Sequence, residues 1–391
     1  MTARPSAARL VSLDALRGFT VFVMIFVNDA ASVRGLPPWL LHMPPGTSGM
    51  TFVDVVFPAF LFMVGTALPF AFERRRREGM TPRAWAAHVL IRALSLVSIG
   101  VLVMNGRELD PAAAHVPYAV WNAAMLIAVL LAWSQEPPEG GGRWIAVRTL
   151  RLVSVAALIV LVAAYRSRTG GGLDLRNWSI LGSIGWAYLT ASALYGLTRG
   201  RVAGLAAALA GLVAWNVSTR LGSDAVTWVA RHVPPLGNGG AASIVVAGIL
   251  AAKVLLANVP LIRRIAFLSS YAAAMIVIGA ALAPRFRVAK IGSTPSWCLF
   301  SAAITTLLLL AFHLAVDVKG WQRAVAPFLP AGRQALIVYL LPDIFYAVFG
   351  LQWLDVYFGV GYIGLVRAAG FAVLVLGAGA LVTRHGLRIR L

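Results

Sequence analysis

Twelve apolar runs follow one another along this chain, and each is long enough to cross a lipid bilayer as a helix. They lie near residues 15–33, 52–72, 86–104, 116–133, 147–165, 178–198, 202–219, 240–257, 264–283, 296–315, 333–350 and 360–382. A helix needs about 20 mostly apolar residues to traverse the hydrocarbon core. The runs are continuous instead of alternating, which excludes the strands of a membrane barrel. Composition agrees: 60% of the residues are hydrophobic and 12% are charged. A soluble domain carries roughly 25% charged residues, so that class is excluded. The pattern predicts an all-α fold, a polytopic transmembrane helix bundle of about 12 spans (10–12). We expect one integral membrane domain over residues 1–391.

The net charge of +20 would suggest nucleic acid in a soluble protein. Here the cations sit in the connections between apolar runs, where they set topology, so no nucleic-acid partner is expected. Of the 34 Lys and Arg residues, 22 fall in one set of loops and termini, including Arg4, Arg9 and Arg390, and 10 in the other. Arg92 and Arg367 lie deepest inside runs and are counted in neither set. The bias places both termini in the cytoplasm, anchored by the four arginines at 74–77, and residues 34–51 outside. A multi-pass protein of a bacterial inner (plasma) membrane, in contact with membrane lipids, is expected. The first run opens with Asp14 and Arg17 and lacks a small-x-small site, so it does not read as a cleaved signal peptide. Cys298 is the single cysteine, which excludes an intrachain disulfide. Related halves, common in transporters, are not visible.

Several polar residues could carry chemistry. Asp14 and Arg17 are three apart and share a helix face. Arg17 reads either as a topology anchor or as a bidentate contact to a phosphate. Eleven residues on, Asn28 stands about 16 Å along the same axis, near the outer boundary. That distance resembles an extended pantetheine arm. His42 lies in the following loop, where it is either a solvated histidine or a base. Asp54 opens the next run, as a dipole partner or as the group that orients a histidine. Arg92 reads as a snorkelling side chain or a phosphate contact. Lys253, Lys319 and Arg333 sit at cytoplasmic run ends and could join it. His313 and Asp343 read as residues of intramembrane helix packing or of hydrogen bonds across helices. No metal-ligand spacing occurs, and no metal is expected.

These segments carry a resemblance. Ser12-Leu13-Asp14-Ala15-Leu16-Arg17-Gly18, Val27-Asn28, His42 and Asp54-Val55-Val56-Phe57-Pro58-x-Phe60-Leu61-Phe62-x-x-Gly65 resemble the heparan-alpha-glucosaminide N-acetyltransferase family of membrane acyltransferases. Later segments resemble its bacterial members in the same order: residues 177–189, 293–299 and 316–320. The resemblance implies transfer of an acetyl group from cytoplasmic acetyl-CoA, as co-substrate, to an amino sugar across the membrane. It implies a catalytic histidine at His42, an asparagine at Asn28 and a homodimer. The family's luminal version has a large extra domain before the core, and a bacterial member without it is expected here. Met43-Pro44-Pro45-Gly46 stands where the family has Trp and Gly after the histidine, bordering the acceptor side.

The sequence therefore predicts an acyl-CoA-dependent acyltransferase acting on a sugar or glycan. His42 is the expected base, Asn28 the oxyanion donor and Asp54 the group that orients His42. Arg17, Arg92, Lys253, Lys319 and Arg333 are the candidate coenzyme contacts. The rival class is a transporter or flippase for a lipid-linked sugar or a small anion.

Overall fold

A computed structural model describes residues 10–351 and 353–389, so Arg4, Arg9 and Arg390 of the topology count lie outside the described residues. The described chain is helical, without named strands. In order, the helices are α1 (Val11–Ala30), α2 (Phe52–Arg77), α3 (Pro82–Gly106), α4 (Tyr118–Ala132), α5 (Gly142–Ala164), α6 (Ser179–Leu197), α7 (Val202–Leu221) and α8 (Asp224–His232). There follow α9 (Gly240–Leu256), α10 (Leu261–Phe286), α11 (Pro295–Phe312), α12 (Gln322–Val325), α13 (Leu329–Arg333), α14 (Ala335–Phe349), α15 (Trp353–Phe358) and α16 (Gly361–Arg384).

Each of the twelve apolar runs becomes a helix. Among the described residues nine helices are long and apolar enough to cross a membrane, or ten if the interrupted pair Gln322–Arg333 and Ala335–Phe349 is one span. The runs at 116–133 and 240–257 form the shorter apolar helices α4 and α9. This is a multi-pass membrane protein.

The chain divides into two compact units. The first comprises residues 10–20, Pro37–Leu90 and Trp186–Gly332; the second comprises Val21–Leu36, Ile91–Gly185 and residues 333–389. In the first, α2 and α7 pack on α9, and α11 packs on α2, α9 and α10. Without a hydrophobic drive between helices in lipid, close packing rests on small residues. At Gly65 of α2 an added Cβ would lie 1.9 Å from the Val245 carbonyl oxygen, and at Gly248 of α9 one would lie 2.1 Å from that of Phe62. These two helices cross backbone to backbone. In the second unit α4 packs on α5 and α14, and α14 on α16.

Two buried polar networks hold the bundles. In the first unit α11 ends in a π-helical turn, His313–Val318. There His313 Nδ1 lies 2.8 Å from Asp317 Oδ2, and Arg264 Nη1 lies 3.1 Å from His313 Nε2. The Ser12 hydroxyl donates to Asp317, and its N–H does so at 3.2 Å. His313 thus hydrogen-bonds across helices, as its position in an apolar run predicts. In the second unit Arg367 pairs with Asp29 Oδ2 at 3.0 Å and with Asp355, and Tyr346 donates to Asp29. Charges within apolar helices persist when paired in this way.

Candidate active site

The local sequence builds the site from a helix cap. Thr51 precedes α2 in extended conformation, and Asp54 stands three residues on. Asp54 Oδ2 accepts the Thr51 N–H at 3.1 Å, the reciprocal bond of a capping box. The same oxygen accepts the Met43 N–H and the Thr51 hydroxyl, each at 3.2 Å. Asp54 Oδ1 lies 2.8 Å from His42 Nδ1. The Asp54 side chain is 1% exposed and that of His42 is 49% exposed. A buried carboxylate on Nδ1 fixes the tautomer that carries its proton there. The basic lone pair of His42 is then on Nε2.

The loop bearing His42 is seated on the connection between α10 and α11. Gly49 N–H donates to the Val288 carbonyl at 2.7 Å, and Val288 N–H donates to Ser48 Oγ at 3.1 Å. Arg287 Nη1 donates to the Gly46 carbonyl at 2.9 Å. Arg287 itself ends α10 at φ 57°, ψ 172°, a conformation that suits glycine and costs other residues about 1–3 kcal/mol. Lys290 Nζ lies 3.2 Å from each ring nitrogen of His42, over the imidazole. Burial holds the Lys290 ammonium below the usual lysine range, and the charge of Asp54 opposes that shift.

These segments line a cavity of about 760 Å³, with His42, Asp54, Arg220, Arg285, Arg287 and Lys290 in its wall. Ligand cavities of roughly 300–1,000 Å³ are usual for small molecules. A half-exposed histidine with a buried carboxylate behind it can accept a proton from a bound nucleophile. Among the described residues no group of three or more His, Cys, Asp or Glu could hold a metal ion.

The other expected site residues are distributed as follows. Asn28 is exposed in the last turn of α1 and belongs to the second unit. Arg17 lies 3.6 Å from Asp14 and donates to the Gly332 carbonyl at 3.1 Å, so the pair expected from their spacing forms. Lys253 is half-buried in the last turn of α9, and Lys319 Nζ lies 5.4 Å over the Trp321 ring. Those three belong to the first unit, whereas half-buried Arg92 and exposed Arg333 belong to the second. His42 and Asp54, expected as partners, do meet, and the cavity wall adds four cations outside the expected site residues. A signal for them was present. Arg285, Arg287 and Lys290 cluster within six residues on the side that the charge bias otherwise leaves poor in cations.

The fold and the site define a multi-pass helical membrane protein whose cavity holds a carboxylate-backed histidine. Residues 9–117, which include both members of that pair, match a family described as a domain of unknown function (DUF5009). The chain is 30% identical over 104 residues to heparan-alpha-glucosaminide N-acetyltransferase of Mus musculus, covering 27% of this chain and 15% of that protein. It is 27% identical over 97 residues to the Homo sapiens protein of the same name, covering 25% and 14%. The matches thus span no more than 15% of the length of these curated relatives. They support the resemblance to that acetyltransferase family and, at family level, a membrane acetyltransferase.

Proposed function

We propose that the protein is a transmembrane acyltransferase, acting as one membrane domain in a bacterial inner membrane, with both termini cytoplasmic. It moves an acetyl or other acyl group from cytoplasmic acyl-CoA to an amino or hydroxyl group of a sugar or glycan on the external face. The observation that carries this reading is the 2.8 Å contact between His42 Nδ1 and Asp54 in the wall of a ligand-sized cavity. His42 Nε2 takes the proton as the acceptor nitrogen or oxygen attacks the thioester carbonyl. The new C–N or C–O bond forms, the C–S bond breaks, and the proton leaves with the coenzyme thiolate. Asn28 donates to the developing oxyanion. Arg17, Arg92, Lys253, Lys319 and Arg333 receive the phosphates of the coenzyme, and the enzyme works as a homodimer.

Thiol release from acetyl-CoA by purified protein, dependent on an added amino sugar, is the expected result. Accumulation of acceptor in sealed vesicles without any acyl donor, together with no thiol release, would replace the enzyme with a transporter.

A further inference from the structure

The cavity wall has a charge imbalance that proton transfer does not require. Arg220, Arg285, Arg287 and Lys290 line it, and Asp54 is the one carboxylate among its lining residues. Both oxygens of Asp54 are already engaged, by His42, Met43 and Thr51. Two of the arginines are held in place by backbone. Arg220 donates to the Gly292 carbonyl and Arg287 to that of Gly46. A guanidinium has five N–H donors, so a single carbonyl leaves most of them available while restricting the plane of the fork. Arg285 is exposed in the last turn of α10 and has no hydrogen bond or ion pair among the described residues. Like charges gathered around one concavity repel one another and raise the local concentration of anions. Something negative is missing from the inventory of side chains.

We propose that the acceptor itself carries an oxyanion, a phosphate or a similar tetrahedral or planar group, and that Arg220, Arg285, Arg287 and Lys290 bind it. The nucleophilic amine or hydroxyl is then presented to His42 Nε2, next to Lys290. This rests on the acyltransferase reading and extends it, because it assigns specificity to four residues that the chemistry does not use. Arginine suits the task, since its fork makes two parallel bonds to an oxyanion where a neutral sugar hydroxyl takes one. The anion has two possible sources with the same chemistry: a soluble sugar phosphate or the headgroup of a phospholipid.

The test uses the full chain in phosphatidylcholine nanodiscs with acetyl-CoA as donor. Thiol release is compared for glucosamine and glucosamine 6-phosphate, and in parallel discs containing phosphatidylglycerol. Hydrogen bonds to charged groups correspond to roughly tenfold to a hundredfold in an equilibrium constant. The phosphorylated acceptor, or the phosphatidylglycerol discs, should therefore exceed glucosamine in kcat/KM by at least about tenfold, with the advantage shrinking as salt rises. Whichever of the two is favoured names the source. Arg285→Ala should bring the preference towards unity and Arg285→Lys should keep part of it, and exposed Arg285 is replaced without disturbing packing. Equal kcat/KM for glucosamine and both anionic probes, with thiol release intact, would overturn the anion site and leave the acyltransferase standing. Should no acceptor release thiol, binding of glucosamine 6-phosphate is read directly by phosphorus NMR. Binding that weakens about tenfold in Arg285→Ala would uphold the site, and binding equal in both proteins, or absent, would overturn it.

Discussion

At the scale of single residues, the proposed function separates the site into groups that would move a proton and groups that would hold charge. His42→Ala removes the proposed base but leaves the buried Asp54 with its bonds to Thr51 and Met43. The loop should keep its place, and coenzyme affinity should stay near that of the unmodified protein. Turnover should fall by roughly 10²–10⁴, the usual contribution of a positioned base. Full turnover in that variant, with a verified acceptor, would move the chemistry elsewhere. Lys290 gives a second, pH-dependent reading. Burial lowers its proton affinity, so its positive charge is lost below the ordinary lysine value of about 10.4. The neighbours facing its ammonium are His42 and Asp54. Affinity for an anionic acceptor should accordingly fall as pH rises through the lowered value. The ratio of KM for glucosamine 6-phosphate to that for glucosamine isolates the effect, because both share the titrating amine. Lys290→Arg should flatten the profile, as arginine stays protonated. A ratio that stays constant as pH rises to the ordinary lysine range in the unmodified protein would free Lys290 from that role.

At the scale of elements, the sequence is legible wherever one apolar run suffices to make one helix. All twelve runs became helices for that reason, yet α4 and α9 have only 15 and 17 residues. Most residues of α9 are buried, so its surroundings are largely protein, and Ala, Gly and Ser serve there as well as longer side chains. Hydropathy cannot distinguish such a helix from one that faces lipid. The π-helical turn at 313–318 was hidden for a different reason, since the side chains it carries, Asp317 and His313, find their partners Ser12 and Arg264 in distant segments. Likewise Asp54 was legible as a partner of His42 because both lie near one helix start, whereas Arg220 reaches the cavity from α7. The crossing of α2 and α9 makes a direct prediction. A Cβ at Gly65 meets backbone at 1.9 Å, whereas Gly196 of α6 has nothing within 4 Å. Gly65→Ala should cost about 1–3 kcal/mol or more, because the helices must part. Gly196→Ala should be neutral or slightly stabilising. Thermal unfolding of the purified proteins in detergent checks the pair, and equal midpoints would mean that the crossing tolerates separation.

At the scale of the whole molecule, the acyltransfer reading depends on the two ends of α2 facing opposite sides of the membrane. Its 26 residues rise about 39 Å, more than a hydrocarbon core of about 30 Å. One end carries Asp54 beneath the loop of His42; the other carries Arg74, Arg75, Arg76 and Arg77. In the proposed topology, which follows the 22 to 10 division of cations, the arginine end faces the cytoplasm. The basic cluster at 285–290 runs against that division, which fits cations retained for a ligand and not for topology. Cysteines introduced one at a time decide the matter, after buried Cys298 is replaced by Ser. Pro45 is exposed in the His42 loop, and Glu78 is exposed just beyond α2. Glu78 is preferable to its neighbour Gly79, whose φ of +81° would strain a cysteine. An impermeant thiol reagent added outside intact cells should label Pro45→Cys and spare Glu78→Cys until the membrane is opened. Labelling of both from outside would put the arginine cluster and the histidine on one face. A coenzyme held by its phosphates in the cytoplasm could then not deliver its thioester to His42 along α1, and the proposed direction of transfer would fall.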